Sequence, residues 1–152
     1  MTIHGPARRL RSIEVVYPLF VRLAGRRVLV VGGGQVASRR VLSLLAQGAD
    51  VVVVAPGIAD GIAAADVQTH RREFRAGDLD GVWLVQACAP AGVNRQVRDE
   101  AEVRRIWCID AADADQSPAW TASPVPGPDG VQVAVSGGGD PHDRTGDGDS
   151  AL

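Results

Sequence analysis

Gly32, Gly34 and Ala37 follow the spacing Gly-x-Gly-x-x-Ala, between the apolar run Arg27–Val31 and a segment of helical periodicity. That spacing suits the pyrophosphate of a dinucleotide. Gly32 allows a tight turn, Gly34 lets a phosphate approach the backbone, and Ala37 lets the helix pack on the strand. The amides of Gln35, Val36 and Ala37 then stand at a helix start, where the helix dipole favours an anion. A glycine turn holding no ligand is the plain structural alternative, but the strand before it and the helix after it favour binding.

Such a site usually carries an acid about 20 residues further on to hold the adenosine ribose. Val53-Val54-Ala55-Pro56 occupies that place, and Asp50 lies at the wrong end of the strand. Ribose contacts therefore fall to the backbone around Pro56 and Gly57. No arginine directly follows the strand to meet a 2′-phosphate, so the expectation leans to NAD over NADP.

The strands and helix that frame this turn are clear in the first half of the chain. Arg27–Val31 is a buried parallel strand. From Gln35 to Gln47, Val36, Ala37, Val41, Leu44 and Leu45 recur at helical spacing, and Gly48 stands where a left-handed residue ends a helix. Val51–Ala55 is the second strand, stopped by Pro56, and the unit has the size of a right-handed βαβ crossover. Val67–His70 is a weaker third strand, and 77–81 a turn or short helix. Val82–Ala87 is a fourth strand, Asn94–Arg105 a charged helix carrying Val93, Val97 and Ala101 at four-residue spacing, and Ile106–Ile109 a fifth strand. This alternation implies an α/β fold, a Rossmann-type doubly wound parallel sheet of order 3-2-1-4-5. Beyond Ala111, Trp120–Val125 and Val131–Ser136 read as a short β-hairpin about the turn 126–130. The domain expectation is an arm over 1–16, a nucleotide-binding domain over 17–116, the hairpin over 117–137, and a disordered Gly/Asp-rich tail over 138–152.

Composition narrows the class. At 152 residues and 45% hydrophobic the chain suits one domain with an ordinary core. All 16 basic residues are arginine, a bias that resembles codon usage. The net charge of −2 is a split: residues 138–152 carry four aspartates against Arg144, and residues 1–137 carry 15 arginines against 14 acids. A near-neutral body with arginine clusters can hold an anionic ligand. An overall pI of about 5.9, without aromatics interleaved among the arginines, argues against nucleic acid. No membrane-spanning run or signal peptide is evident, which implies a cytoplasmic protein with no membrane partner. Cys88 and Cys108 lack metal or redox spacing and read as reduced and buried, and with three scattered histidines no metal site is expected.

Several linked motifs resemble one family. They are Tyr17-Pro18-Leu19-Phe20; Arg26 to Gly34; Val36-Ala37-Ser38-Arg39-Arg40; Gln47-Gly48-Ala49; Val54-Ala55-Pro56; Asp78 to Leu84; Val93-Asn94; Arg104 to Cys108; and Val133 to Gly138. Together they are similar to the N-terminal module of siroheme synthases, the precorrin-2 dehydrogenases, some of which are also sirohydrochlorin ferrochelatases. The resemblance spans about residues 17–139. It implies NAD-dependent dehydrogenation of the tetrapyrrole precorrin-2 to sirohydrochlorin, in siroheme or cobalamin synthesis, with metal insertion as a further activity. It also implies a catalytic aspartate just after the fifth strand, serving as a general base. The candidates are Asp110, Asp113 and Asp115, and counting back from Val133-Ala134-Val135-Ser136 selects Asp113. Counting forward from Trp107-Cys108 lands one residue short of it, and Asp110 is the alternative. Arg39 matches the family's helix motif and is the candidate for a substrate carboxylate. Cys88 and Ala89 fall at the nicotinamide side, where the family more often has a polar pair. The family continues past its Gly-Gly segment into a helical dimerisation part that is largely missing here, which leaves a homodimer and chelatase activity open. A non-catalytic NAD(H)-sensing module, or a truncated inactive relative, is the alternative function.

Overall fold

The computed structural model describes residues 16–135. The expected N-terminal arm apart from Val16, the end of the expected hairpin at 136–137 and the Gly/Asp-rich tail lie outside the described residues. Two compact units divide the chain, Val21–Ala122 and a second containing 16–20 and 123–135.

Five parallel strands build the first unit, β1 (Arg27–Val31), β2 (Asp50–Val54), β3 (Gln68–His70), β4 (Leu84–Ala87) and β5 (Trp107–Asp110), in the expected order β3-β2-β1-β4-β5. The continuous valine runs of β1 and β2 follow from burial on both faces. Leu29, Val31, Val52, Val54, Val85 and Ala87 point one way, onto Val97 and Ala101 of the helix α3 (Ala91–Val103). Val28, Val30, Val51 and Val53 point the other way, onto Ala37, Val41 and Leu44 of α1 (Gln35–Ala46). A one-turn helix α2 (Asp60–Ala63), too short to leave a periodic signal, buries Ile62 on the same side. Where 77–81 was expected to turn, a 3-10 turn spans Ala76–Leu79.

The two long helices end alike. After α1 the Ala49 amide donates to the Leu44 carbonyl and the Gly48 amide to Leu45, with Gly48 left-handed at φ 72°. After α3 the Ile106 amide donates to Ala101 and the Arg105 amide to Glu102, but the left-handed residue is Arg105, φ 57°. This is why α3 stops at Val103 rather than running to Arg105. It also starts earlier than expected, at Ala91, because the Pro90 carbonyl accepts the Val93 and Asn94 amides.

In the second unit β6 (Val125–Pro126) pairs antiparallel with β7 (Gln132–Val133). The turn is the expected one, with left-handed Asp129 and Gly130. The strands are much shorter than the expected Trp120–Val125 and Val131–Ser136, because Pro124 and Pro126 have no amide to extend a ladder.

Candidate functional site

The carboxyl ends of β1, β2 and β4 surround the glycine turn. The Gly32 amide continues the ladder to the Val54 carbonyl at 3.0 Å, and the Cys88 amide does the same to Val31 at 2.7 Å. Gly32 is left-handed, φ +126°, and a Cβ there would stand 2.3 Å from the Cys88 carbonyl oxygen. Gly33 is held more tightly still: a Cβ there would stand 1.8 Å from the Gly57 carbonyl oxygen, and the Gly33 carbonyl accepts the Ala59 amide at 2.8 Å. Its role escaped the Gly-x-Gly spacing, in which it is the unspecified middle residue.

Gly34 differs from its neighbours. It is exposed, nothing lies within 4 Å of a Cβ placed on it, and it is the N-cap of α1 with no side chain capping the helix. The Gln35, Val36 and Ala37 amides therefore head a helix whose positive end opens onto free space. Pro56 and Gly57 are exposed beside it, on the loop that packs against Gly33. A tight turn, an open glycine and an uncapped helix end together fit a dinucleotide pyrophosphate.

The second region follows β5. Asp113 is part-exposed, and one of its carboxylate oxygens accepts the Gln116 amide at 3.2 Å, closing a short turn. It lines an open cleft of about 830 Å³ with Arg95, Arg98, Asp115, Gln116 and Ser117. Asp110 sits differently, its side chain 1% exposed and ion-paired with Arg98. Asp110 Oδ1 accepts from Asn94 Nδ2 at 2.9 Å and from the Ala112 amide at 2.9 Å, and the Asp110 amide donates to Ser117 Oγ at 2.9 Å. Asn94, Arg98 and Ser117 were not singled out for chemistry by sequence reasoning. The available signal was two polar residues, Asn94 and Arg98, one turn apart beside the apolar Val93-Val97-Ala101 stripe.

The remaining candidates separate. Cys88 is half-buried and Cys108 buried, and they pack against opposite faces of the sheet. Burial pushes their thiols up to about 11 and about 12, so both stay protonated at neutral pH and neither is a nucleophile. The Ala89 amide already donates to Asn94 Oδ1 at 2.8 Å. The Arg39 side chain is exposed on α1 with no hydrogen-bond or ion-pair partner among the described residues, whereas its neighbour Arg40 donates to Thr121 Oγ1 at 2.8 Å. No cluster of three or more metal-ligating residues occurs among the described residues, and no described helix is long and apolar enough to cross a membrane.

Residues 19–122, which contain both regions, match the NAD_binding_7 family, described as NAD(P)-binding. The chain belongs to this family. Over 127 residues it is 37% identical to a siroheme synthase of Methylobacillus flagellatus, covering 80% of this chain and 27% of that protein. It is 42% identical over 94 residues to a siroheme synthase of Photorhabdus laumondii, covering 59% of this chain and 20% of the relative. The chain thus spans well under half the length of these curated relatives. A solved structure described as SirC, precorrin-2 dehydrogenase, superposes with a TM-score of 0.68 at 27% identity, covering 84% of this chain and 65% of that one. The resemblance to siroheme synthases and the Rossmann-type order of this family member therefore both hold.

Proposed function

We propose that this NAD(P)-binding family member is an NAD-dependent precorrin-2 dehydrogenase, with Asp113 as its general base. The observation that carries the reading is the pairing, on one sheet, of an uncapped glycine turn with a part-exposed carboxylate beyond β5. Gly32 and Gly34, the Gln35, Val36 and Ala37 amides, and the Pro56-Gly57 backbone hold the dinucleotide. The half-buried Cys88 and Ala89, directly after β4, are the residues that would line the nicotinamide side. When bound, the nicotinamide ring supplies the acceptor for the hydride that leaves precorrin-2. Asp113 accepts the accompanying proton, so two hydrogens leave the macrocycle as one hydride and one proton and a further double bond forms.

Asp113 suits this role because one carboxylate oxygen is held by the Gln116 amide and the other is left for the cleft. The absence of an acid at the end of β2 makes the cofactor's ribose contacts backbone contacts, and no arginine stands there for a 2′-phosphate, which supports NAD. Arg95 in the cleft and Arg39 on α1 are the cations offered to substrate carboxylates.

Calorimetry with NAD⁺ followed by an assay with precorrin-2 tests this. Binding of NAD⁺ with formation of NADH and sirohydrochlorin is expected. Binding with no NADH formed would refute the dehydrogenase and leave a nucleotide-binding module.

A further inference from the structure

The reaction described above uses Asp113 and assigns nothing to Asp110, although Asp110 is the more elaborately bound carboxylate. Its Oδ1 accepts three hydrogen bonds, from Asn94 Nδ2 at 2.9 Å, the Ala112 amide at 2.9 Å and the Asp113 amide at 3.3 Å. Oδ2 is paired with Arg98, and the side chain is 1% exposed. The Asp110 amide donates to Ser117 Oγ at 2.9 Å, so one residue fastens both ends of the loop 111–117. A carboxylate so engaged has both oxygens committed to partners within the fold and offers none to a substrate.

Asn94 leads back to the cofactor region. Its Oδ1 accepts the Ala89 amide at 2.8 Å, while its Nδ2 donates to Asp110. Ala89 borders the glycine turn, its nitrogen 3.0 Å from where a Cβ on Gly32 would stand. A continuous line of hydrogen bonds thus runs from Ala89 through Asn94 and Asp110 to the Asp113 backbone.

We infer that Asp110 and Asn94 are positioning residues that tie the loop carrying Asp113 to the end of β4 beside the glycine turn, and so set where the proton acceptor stands relative to the bound dinucleotide. The inference rests on the reading of Asp113 as base. Its physical content is alignment: an ångström of misplacement between reacting groups costs roughly a hundredfold in rate. Removing the frame should therefore slow turnover without loosening the cofactor.

The test compares Asn94→Ala, Asp110→Asn and Asp113→Asn with the wild-type chain, using NAD⁺ and precorrin-2 as probes and amide hydrogen exchange as a readout that needs no turnover. For Asn94→Ala, kcat should fall by about 10- to 100-fold, with the Kd for NAD⁺ changed by less than about twofold. Exchange at the Ala89 and Ala112 amides should speed up by about tenfold or more, the scale of one hydrogen bond to a charged or buried acceptor, while the β1 and β2 amides keep their rates. Asp110→Asn keeps an acceptor for the Ala112 amide and should retain more activity than Asp113→Asn. Unchanged exchange at Ala112 in Asn94→Ala, or a loss in Asp110→Asn as deep as that in Asp113→Asn, would overturn the inference. Uniformly faster exchange, including β1 and β2, would also overturn it, because the residues would then act on global stability. If Asp113→Asn turns over like the wild type, the base assignment fails by itself, and the exchange result still decides whether Asn94 holds the loop.

Discussion

The glycine turn and the aspartate loop lie at the same edge of one sheet and are built on opposite principles. Gly32 and Gly33 take their shape from missing side chains, since backbone atoms of Cys88 and Gly57 occupy the space where their Cβ atoms would sit. The loop 111–117 takes its shape from side chains that are present: Asp110, Asn94, Arg98 and Ser117 hold it by hydrogen bonds drawn from two other stretches of chain. The first device is rigid because it is crowded, and the second because its polar groups are satisfied. Substitution should therefore harm the turn by steric conflict and the loop by lost bonding.

The largest effect that sharpens this contrast is expected at Gly33. Gly33→Ala places a Cβ 1.8 Å from the Gly57 carbonyl oxygen, which is backbone and cannot swing aside. A loss of about 3 kcal/mol in urea-unfolding stability is expected, and a variant as stable as the wild type would break the claim that crowding shapes the turn.

Gly34→Ala separates shape from binding. Its Cβ meets nothing within 4 Å, so the stability cost should stay within about 1 kcal/mol, the N-cap preference for glycine over alanine. NAD⁺ affinity should nevertheless fall by about tenfold or more, about 1.4 kcal/mol by calorimetry. Equal affinity in wild type and variant would place the pyrophosphate elsewhere.

The turn before β4 is a second example of bonding by side chains. Asp78 accepts hydrogen bonds from Arg72 at 2.6 and 2.9 Å and from the Arg75 amide at 2.8 Å, and the Arg72 bond is the main reason its carboxyl lies below the usual range. A lowered folded value means that the stabilisation is fully present above the ordinary carboxylate range and is lost as pH falls through the lowered value. Asp78→Asn should cost about 1 kcal/mol at neutral pH, and its difference from wild type should shrink in acid below about pH 4. A difference independent of pH would show that charge is not what holds this turn.

The smallest effect concerns the helix ends. Arg105 adopts the left-handed conformation that Gly48 supplies after α1. Arg105→Gly should raise stability by about 0.5–1 kcal/mol in thermal unfolding, and no gain would mean that the arginine side chain offsets its backbone strain.

This contrast also explains what could be read from sequence. Crowded glycines and valine runs are local, so the strand order and the turn at Gly32 and Gly34 were legible, with strand ends displaced by a residue or two. Gly33 was not, because its neighbour, Gly57, is more than twenty residues away in sequence. Asn94 and Arg98 stood inside an amphipathic helix, where polar residues are normally solvated, and only the fold brings them to Asp110. The hairpin strands were overread because strand-like composition outweighed the two prolines that interrupt pairing.

The most direct measurement of the central claim is a single-turnover comparison of wild type and Asp113→Asn with saturating NAD⁺ and precorrin-2, following NADH. The role of Asp113 as general base predicts equal NAD⁺ affinity and a rate lowered by about 10²- to 10⁴-fold, the usual contribution of such a group. An Asp113→Asn rate equal to wild type, with NADH still formed, would contradict it.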